Sequence, residues 1–251
     1  MTDISSEKQK SKGIFLLPNL LTTAGLFSGF YAVIASMNNQ FESAAVAIFI
    51  AMIFDALDGR VARMTNTQSA FGAEYDSMAD MVSFGIAPAL VAYNWALADL
   101  GKIGWLAAFI YTAGAALRLA RFNTTVDTAD KRYFKGLASP AAAAIVAGMV
   151  WVGTEYNIDL SSFGIVATVI TVLCGLLMVS NFRYSSFKEV KWKQKVPFIS
   201  ILIIVLAFVV VATEPALVLF SIFSLYAISG PIITYRSIKE LKAKEASDEN
   251  Q

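Results

Sequence analysis

Histidine is absent from the 251 residues, and there is a single cysteine. The first absence removes the commonest general base and a common zinc ligand, so acid–base or metal chemistry must rest on carboxylates, lysine, tyrosine or Cys174. The second excludes an internal disulfide; Cys174, set in VITVLCGLLMV, reads as a small packing residue and not as a nucleophile. Charge is scarce too, at 16% of residues against 57% hydrophobic ones. That balance argues against a water-soluble globule and for a polytopic membrane protein. A formal net charge of +1 says little, because in such a protein the position of each charge matters more than the sum, and no nucleic-acid partner is expected.

What is abundant is apolar sequence in runs of spanning length. Crossing a hydrocarbon core of about 30 Å takes roughly 20 helical residues. Eight segments come near that length: residues 16–37, 42–60, 74–98, 103–122, 138–155, 162–182, 197–213 and 216–235. All are expected to be helices, since backbone in lipid must satisfy its own hydrogen bonds. That includes VPFISILIIVLAFVVVAT, whose β-branched residues would suggest a strand in water. The expected fold class is therefore all-α, a polytopic helix bundle of about eight transmembrane helices. The start MTDISSEKQKSKG is polar and mixed in charge, so the first apolar segment is expected to remain in the mature protein.

With the first tail placed inside, nineteen of the twenty Lys and Arg residues fall in cytoplasmic stretches, and only Lys102 lies opposite. This asymmetry puts both termini in the cytoplasm. Pro88 and Pro231 fall inside predicted spans and are expected to kink them. Gly25 and Gly29 form a GxxxG pair, read as close helix packing.

One stretch breaks the apolar pattern: DALDGRVARMTNTQSAFGAEYDSMAD, residues 55–80. It places Asp55 and Asp58 at the cytoplasmic end of the second span, and Asp76 and Asp80 at the start of the third. The spacings i, i+3 and i, i+4 put each pair on one helix face, and a short polar linker lets the faces oppose. Carboxylates are costly at membrane depth, about 2.5–3.5 kcal/mol each at a helix centre. Oxygen-only ligands describe a site for a hard cation such as Mg²⁺, Mn²⁺ or Ca²⁺. Two ions bridged by carboxylates would make a clamp for phosphoryl oxygens. An ion or proton path and a solvated cluster at helix ends remain open on the charge pattern alone.

The same stretch carries a family resemblance. Asp55, two residues, Asp58-Gly59, two residues, Ala62-Arg63, eight residues, Gly72, three residues, Asp76, three residues and Asp80 resemble the complete signature of the CDP-alcohol phosphotransferase family. All eight fixed positions match, a coincidence expected on the order of once in 10⁷ sequences at average residue usage. The resemblance implies attack by an alcohol on the phosphoryl group of a CDP-linked donor, with CMP leaving. It further implies that Asp55, Asp58, Asp76 and Asp80 hold two divalent ions, Mg²⁺ or Mn²⁺, and that Asp80 is the general base. Gly59 and Gly72 would leave room for the nucleotide, Arg63 would meet a phosphate, and Ser69 would contact the donor. A homodimer is also implied. On this reading residues 1–15 are a cytoplasmic segment, 16–236 a single transmembrane catalytic domain and 237–251 a mobile cytoplasmic tail. The protein would lie in a bacterial or archaeal cytoplasmic membrane, its site facing the cytoplasm.

Further stretches bear on the acceptor. PNLLTTAGLFSGF, RLARFN, FKGLASPAAA and NFRYSSFKEV are similar to the membrane-embedded, class II phosphatidylserine synthases within that family. This likeness implies CDP-diacylglycerol as donor and L-serine as acceptor. Arg118, Arg121 and Lys135 supply cations near the aspartates for a serine carboxylate. They would suit the phosphate of glycerol 3-phosphate or inositol phosphate equally well, or would anchor helix ends in anionic headgroups. The alternatives are thus the same chemistry on another acceptor, such as glycerol 3-phosphate, and a carboxylate-lined ion transporter.

Overall fold

The computed structural model describes residues 12–125, 133–185 and 198–248. Eight helices follow in chain order: α1 (Lys12–Met37), α2 (Phe41–Thr65), α3 (Ala70–Leu100), α4 (Lys102–Thr125), α5 (Ser139–Glu155), α6 (Leu160–Val179), α7 (Phe198–Thr213) and α8 (Pro215–Asp248). Each expected apolar segment falls on one of them. Four stretches, Leu16–Met37, Ala70–Leu100, Lys102–Thr124 and Pro215–Ser237, are long and apolar enough to cross a membrane, and Phe163–Val179 is a shorter apolar helix. With 17 and 16 residues, α5 and α7 reach only about 25 Å. The large apolar side chains left exposed, Phe27, Phe208 and Leu225 among them, suit contact with lipid. This is an integral membrane helix bundle.

One feature departs from the all-helical expectation. Tyr133–Lys135 (β1) pairs antiparallel with Arg183–Ser185 (β2), in register Phe134↔Tyr184. Three-residue strands in polar loops carry no periodicity to read. The ribbon is fixed by Gly136, whose φ of +81° suits glycine and whose Cβ, if present, would stand 2.3 Å from the Met178 carbonyl oxygen. At the C-terminal end α8 continues to Asp248, in keeping with the strong helix formers of KELKAKEA. Lys8, Lys10, Lys131, Arg132, Lys188, Lys191, Lys193 and Lys195, counted in the charge asymmetry, lie outside the described residues.

The centre of the bundle is α5, buried on nearly every face from Ala141 to Val150. An all-round apolar helix belongs inside, and here α2, α3, α6 and α8 surround it. Its alanines allow the neighbouring backbones to come close. The GxxxG pair on α1 does the same work within the chain. A Cβ on Gly25 would touch Phe54, and one on Gly29 would press within 2.7 Å of Ser83 Cα.

Both prolines expected to kink spans do leave a carbonyl without its helical partner, and the fold answers each in the same way. Pro88 has no N–H for the carbonyl of Phe84, four residues back. The Tyr111 hydroxyl from α4 donates to that oxygen at 2.9 Å. The backbone before Pro88, Met81–Ile86, widens into a π-helical stretch, and so does Tyr93–Leu97. In α8, Pro231 similarly spares the Ala227 carbonyl, which accepts from the Tyr184 hydroxyl at 3.1 Å. Tyr111 and Tyr184 are both fully buried, and a buried tyrosine hydroxyl needs such a partner.

Candidate functional site

The turn between α2 and α3 is chemically specified at both ends. Asn66 ends α2 in the left-handed conformation, its N–H directed to the Ala62 and Arg63 carbonyls. Three residues on, Ser69 caps α3, its Oγ accepting the Gly72 N–H at 3.0 Å. The chain therefore reverses within a few residues, and the Asp55/Asp58 face of α2 meets the Asp76/Asp80 face of α3.

Asp55, Asp76 and Asp80 each offer a carboxylate oxygen, and these oxygens lie within 4.8 Å of one another. Asp58 lines the same cavity but is otherwise engaged: it is buried, and its Oδ2 accepts from Thr22 Oγ1 of α1 at 2.7 Å. The expected convergence of four carboxylates is thus three facing one another and one anchored against α1. The cavity they share with Thr22 and Ser83 holds about 10 Å³, about one water-sized sphere. Three carboxylates at this separation repel, and the donors are hard oxygens without sulfur or imidazole. That set fits a divalent metal ion such as Mg²⁺, Mn²⁺ or Ca²⁺.

Around this group the other signature positions have plain structural surroundings. The Arg63 guanidinium folds back over Gly59, one turn earlier, where an added Cβ would stand 3.3 Å from its Nη1. On Gly72 a Cβ would stand 3.1 Å from Ser69 Oγ and 3.4 Å from Asn19 Oδ1. Arg63 is exposed and lies close enough to Asp58 to act on it electrostatically. Ser69, read as a donor contact, has its hydroxyl oxygen in the cap.

The three proposed acceptor cations separate. Arg118 donates through Nη1 to Ser139 Oγ at 2.9 Å, and it lies within electrostatic reach of Asp80. Arg121 donates to the carbonyls of Val179 and Ser180, at 3.0 and 3.3 Å, at the C-terminus of α6. Cations favour that position at a helix end. Lys135 sits on β1, exposed and paired in register with Arg183. Glu74, two residues before Asp76, is exposed. Two residues that the sequence does not single out touch the expected site residues: Thr22, inside PNLLTTAG, which lines the cavity and bonds Asp58, and Ser139, inside GLASPAAA, which bonds Arg118. Thr22 stands beside Thr23 and Ser139 stands alone, each a hydroxyl in an otherwise apolar run, and that was the available signal.

The family model described as CDP-alcohol phosphatidyltransferase matches residues 15–179, a stretch holding the four aspartates, Thr22, Arg63, Ser69, Arg118, Arg121, Lys135 and Ser139. Similar proteins come from distant organisms. A Helicobacter pylori protein named CDP-diacylglycerol–serine O-phosphatidyltransferase is 39% identical over 219 residues, covering 87% of this chain and 91% of its own length. One of the same name from Methanocaldococcus jannaschii is 35% identical over 216 residues, 86% of this chain and 94% of its own. A third, from Saccharomyces cerevisiae, is 36% identical over 169 residues, 60% of each chain.

Proposed function

The chain belongs to the CDP-alcohol phosphatidyltransferase family, and on that premise we propose that it transfers a phosphatidyl group from CDP-diacylglycerol to the hydroxyl of L-serine, releasing CMP. The observation that carries this reading is the gathering of Asp55, Asp76 and Asp80 within 4.8 Å at the signature positions. Asp80 takes the proton of the serine hydroxyl. The hydroxyl oxygen bonds to the phosphorus bearing diacylglycerol as the bond from that phosphorus to the CMP oxygen breaks. Asp55, Asp58, Asp76 and Asp80 would hold two divalent ions, Mg²⁺ or Mn²⁺, which when bound supply charge stabilisation on the phosphoryl oxygens and the leaving CMP. Thr22 keeps Asp58 turned into the cavity. Gly59 and Gly72 keep bulk away from the nucleotide, and Arg63 meets a donor phosphate; Ser69 shapes the donor side through the start of α3.

Arg118 is the cation best placed for the acceptor, lying in electrostatic reach of Asp80. Arg121 and Lys135 would act on the acceptor more remotely, through the potential at the same end of the bundle. That end faces the cytoplasm in this reading, with both termini on the same side. The diacylglycerol tails remain in the bilayer while the CDP head reaches the carboxylates, and the active unit is a homodimer in a bacterial or archaeal cytoplasmic membrane.

The test uses purified protein in detergent or lipid with CDP-diacylglycerol and Mg²⁺ or Mn²⁺. CMP release is compared with L-serine, glycerol 3-phosphate and inositol phosphate. Release that requires serine is the expected result. Release with glycerol 3-phosphate alone would reassign the acceptor, and divalent-ion transport without CMP would reject the transferase reading.

A further inference from the structure

Among the described residues, Arg118 Nε is the one buried side-chain nitrogen or oxygen with no hydrogen-bond partner. Buried polar groups in folded proteins are nearly always paired, so an orphan N–H on a guanidinium calls for an acceptor atom. The rest of the same group is not slack. Nη1 donates at 2.9 Å to Ser139 Oγ, and Ser139 is fully buried. Ser139 is the first residue of α5, followed by Pro140, whose ring presets the helical φ. Its hydroxyl thus sits on the most enclosed helix of the bundle, a rigid post for one arm of the guanidinium.

The location of this post relative to Asp80 follows from helix geometry. Arg118 lies seven residues, about two turns, beyond Tyr111 on α4, and Asp80 lies about one turn before Phe84 on α3. The Tyr111–Phe84 hydrogen bond ties the two helices together at the inner level. A tight turn at Gly101 joins them, so they run in opposite directions and both offsets lead to the same end of the bundle. The charge of Arg118 accordingly acts on Asp80.

The geometry points to Ser139 as a positioning residue for acceptor recognition: by holding Nη1, it presents the Nε–Nη2 edge of Arg118 to the carboxylate of the amino-acid acceptor while the acceptor hydroxyl reaches Asp80. This rests on the serine-transfer reading above. The Nε–Nη2 edge is a planar pair of parallel donors that matches a carboxylate. Anchoring of the third nitrogen removes the rotation that would otherwise spoil the match. Ser139 touches no substrate; it acts through Arg118.

The test measures CMP release as serine and CDP-diacylglycerol are varied in turn, for wild type, Ser139→Ala, Arg118→Lys and the double variant, with thermal unfolding in the same detergent. Loss of one hydrogen bond to a charged group predicts a rise of about 10- to 100-fold in KM for serine in Ser139→Ala. KM for the donor should hold, and the unfolding temperature should fall by no more than one lost buried hydrogen bond allows, with the protein still folded at the assay temperature. The double variant should be no worse toward serine than Arg118→Lys alone, because the hydroxyl has nothing left to orient. Ser139→Cys, close in size and a weak acceptor, repeats the measurement without opening a cavity. An unchanged KM for serine in active variants, an equal rise in both KM values, or strictly additive losses would overturn the inference and leave the serine reading standing. Wild-type CMP release indifferent to serine would overturn both.

Discussion

Tyr111→Phe removes one oxygen atom, and the structure says what that atom is for. The Phe84 carbonyl loses its 2.9 Å donor, while Pro88, the residue four positions on, has no N–H to replace it. Tyr111 is 0% exposed and Phe84 1%, so water cannot take over. Leaving a buried carbonyl unpaired costs about 1–3 kcal/mol in soluble proteins. Hydrogen bonds between membrane helices average nearer 0.6 kcal/mol, with a maximum of about 1.7, because the unfolded chain in lipid finds other partners. Pro88 removes the local partner in both states, which places this bond toward the upper end, about 1–1.7 kcal/mol. The assay is SDS-driven unfolding in mixed micelles, followed by fluorescence of the four tryptophans. Adding Pro88→Ala to Tyr111→Phe returns an N–H within the helix and should recover much of the loss. A Tyr111→Phe protein as stable as wild type, or a loss that Pro88→Ala leaves untouched, would refute the pairing of hydroxyl and proline-freed carbonyl. The same cycle applies to Tyr184 and Pro231.

Other perturbations have equally specific outcomes. Thr22→Val should leave the bundle folded but deprive Asp58 of its 2.7 Å donor; the divalent-ion concentration for half-maximal CMP release should then rise about tenfold, as for one charge-assisted bond, and an unchanged ion requirement would remove Thr22 from the site. On the opposite side of the bundle, the Tyr156 hydroxyl donates to Glu214 at 3.2 Å, and that bond and the carboxylate's charge raise its pKa above the ordinary tyrosine value. A raised native pKa favours the protonated phenol, so this contribution is present below the ordinary tyrosine pKa and disappears as pH rises through the raised one. Glu214→Gln should bring the Tyr156 titration, read from its ring-carbon NMR shift, down toward the ordinary value; an unmoved titration would show that the contact does not persist in solution.

The parts legible in the sequence were those written locally. Eight apolar runs became eight helices because hydrophobic length is a property of each segment alone. The aspartates were found because helical spacing fixes which of them share a face. What escaped reading depends on distant neighbours. Thr22 and Asp58 are 36 residues apart, Arg118 and Ser139 are 21, and Tyr184 and Ala227 are 43. No periodicity announces such pairs. Pro88 forecast a disturbance in its helix without saying that the backbone before it would widen into π-helix or that Tyr111 would answer it. Ser69 carries a signal of the local kind that went unused. Its place ahead of a helix was a local capping signal, and the family likeness drew attention to a donor contact instead.

The claim on which the rest depends is that Asp55, Asp76 and Asp80 act together as a divalent-ion site. Its most direct test is Mn²⁺ binding followed by electron paramagnetic resonance, on wild type and Asp76→Asn in micelles containing CDP-diacylglycerol. The account predicts saturable binding by wild type and affinity at least about tenfold weaker in the variant, the scale of one lost charge-assisted contact. Equal Mn²⁺ binding by the two proteins would contradict it.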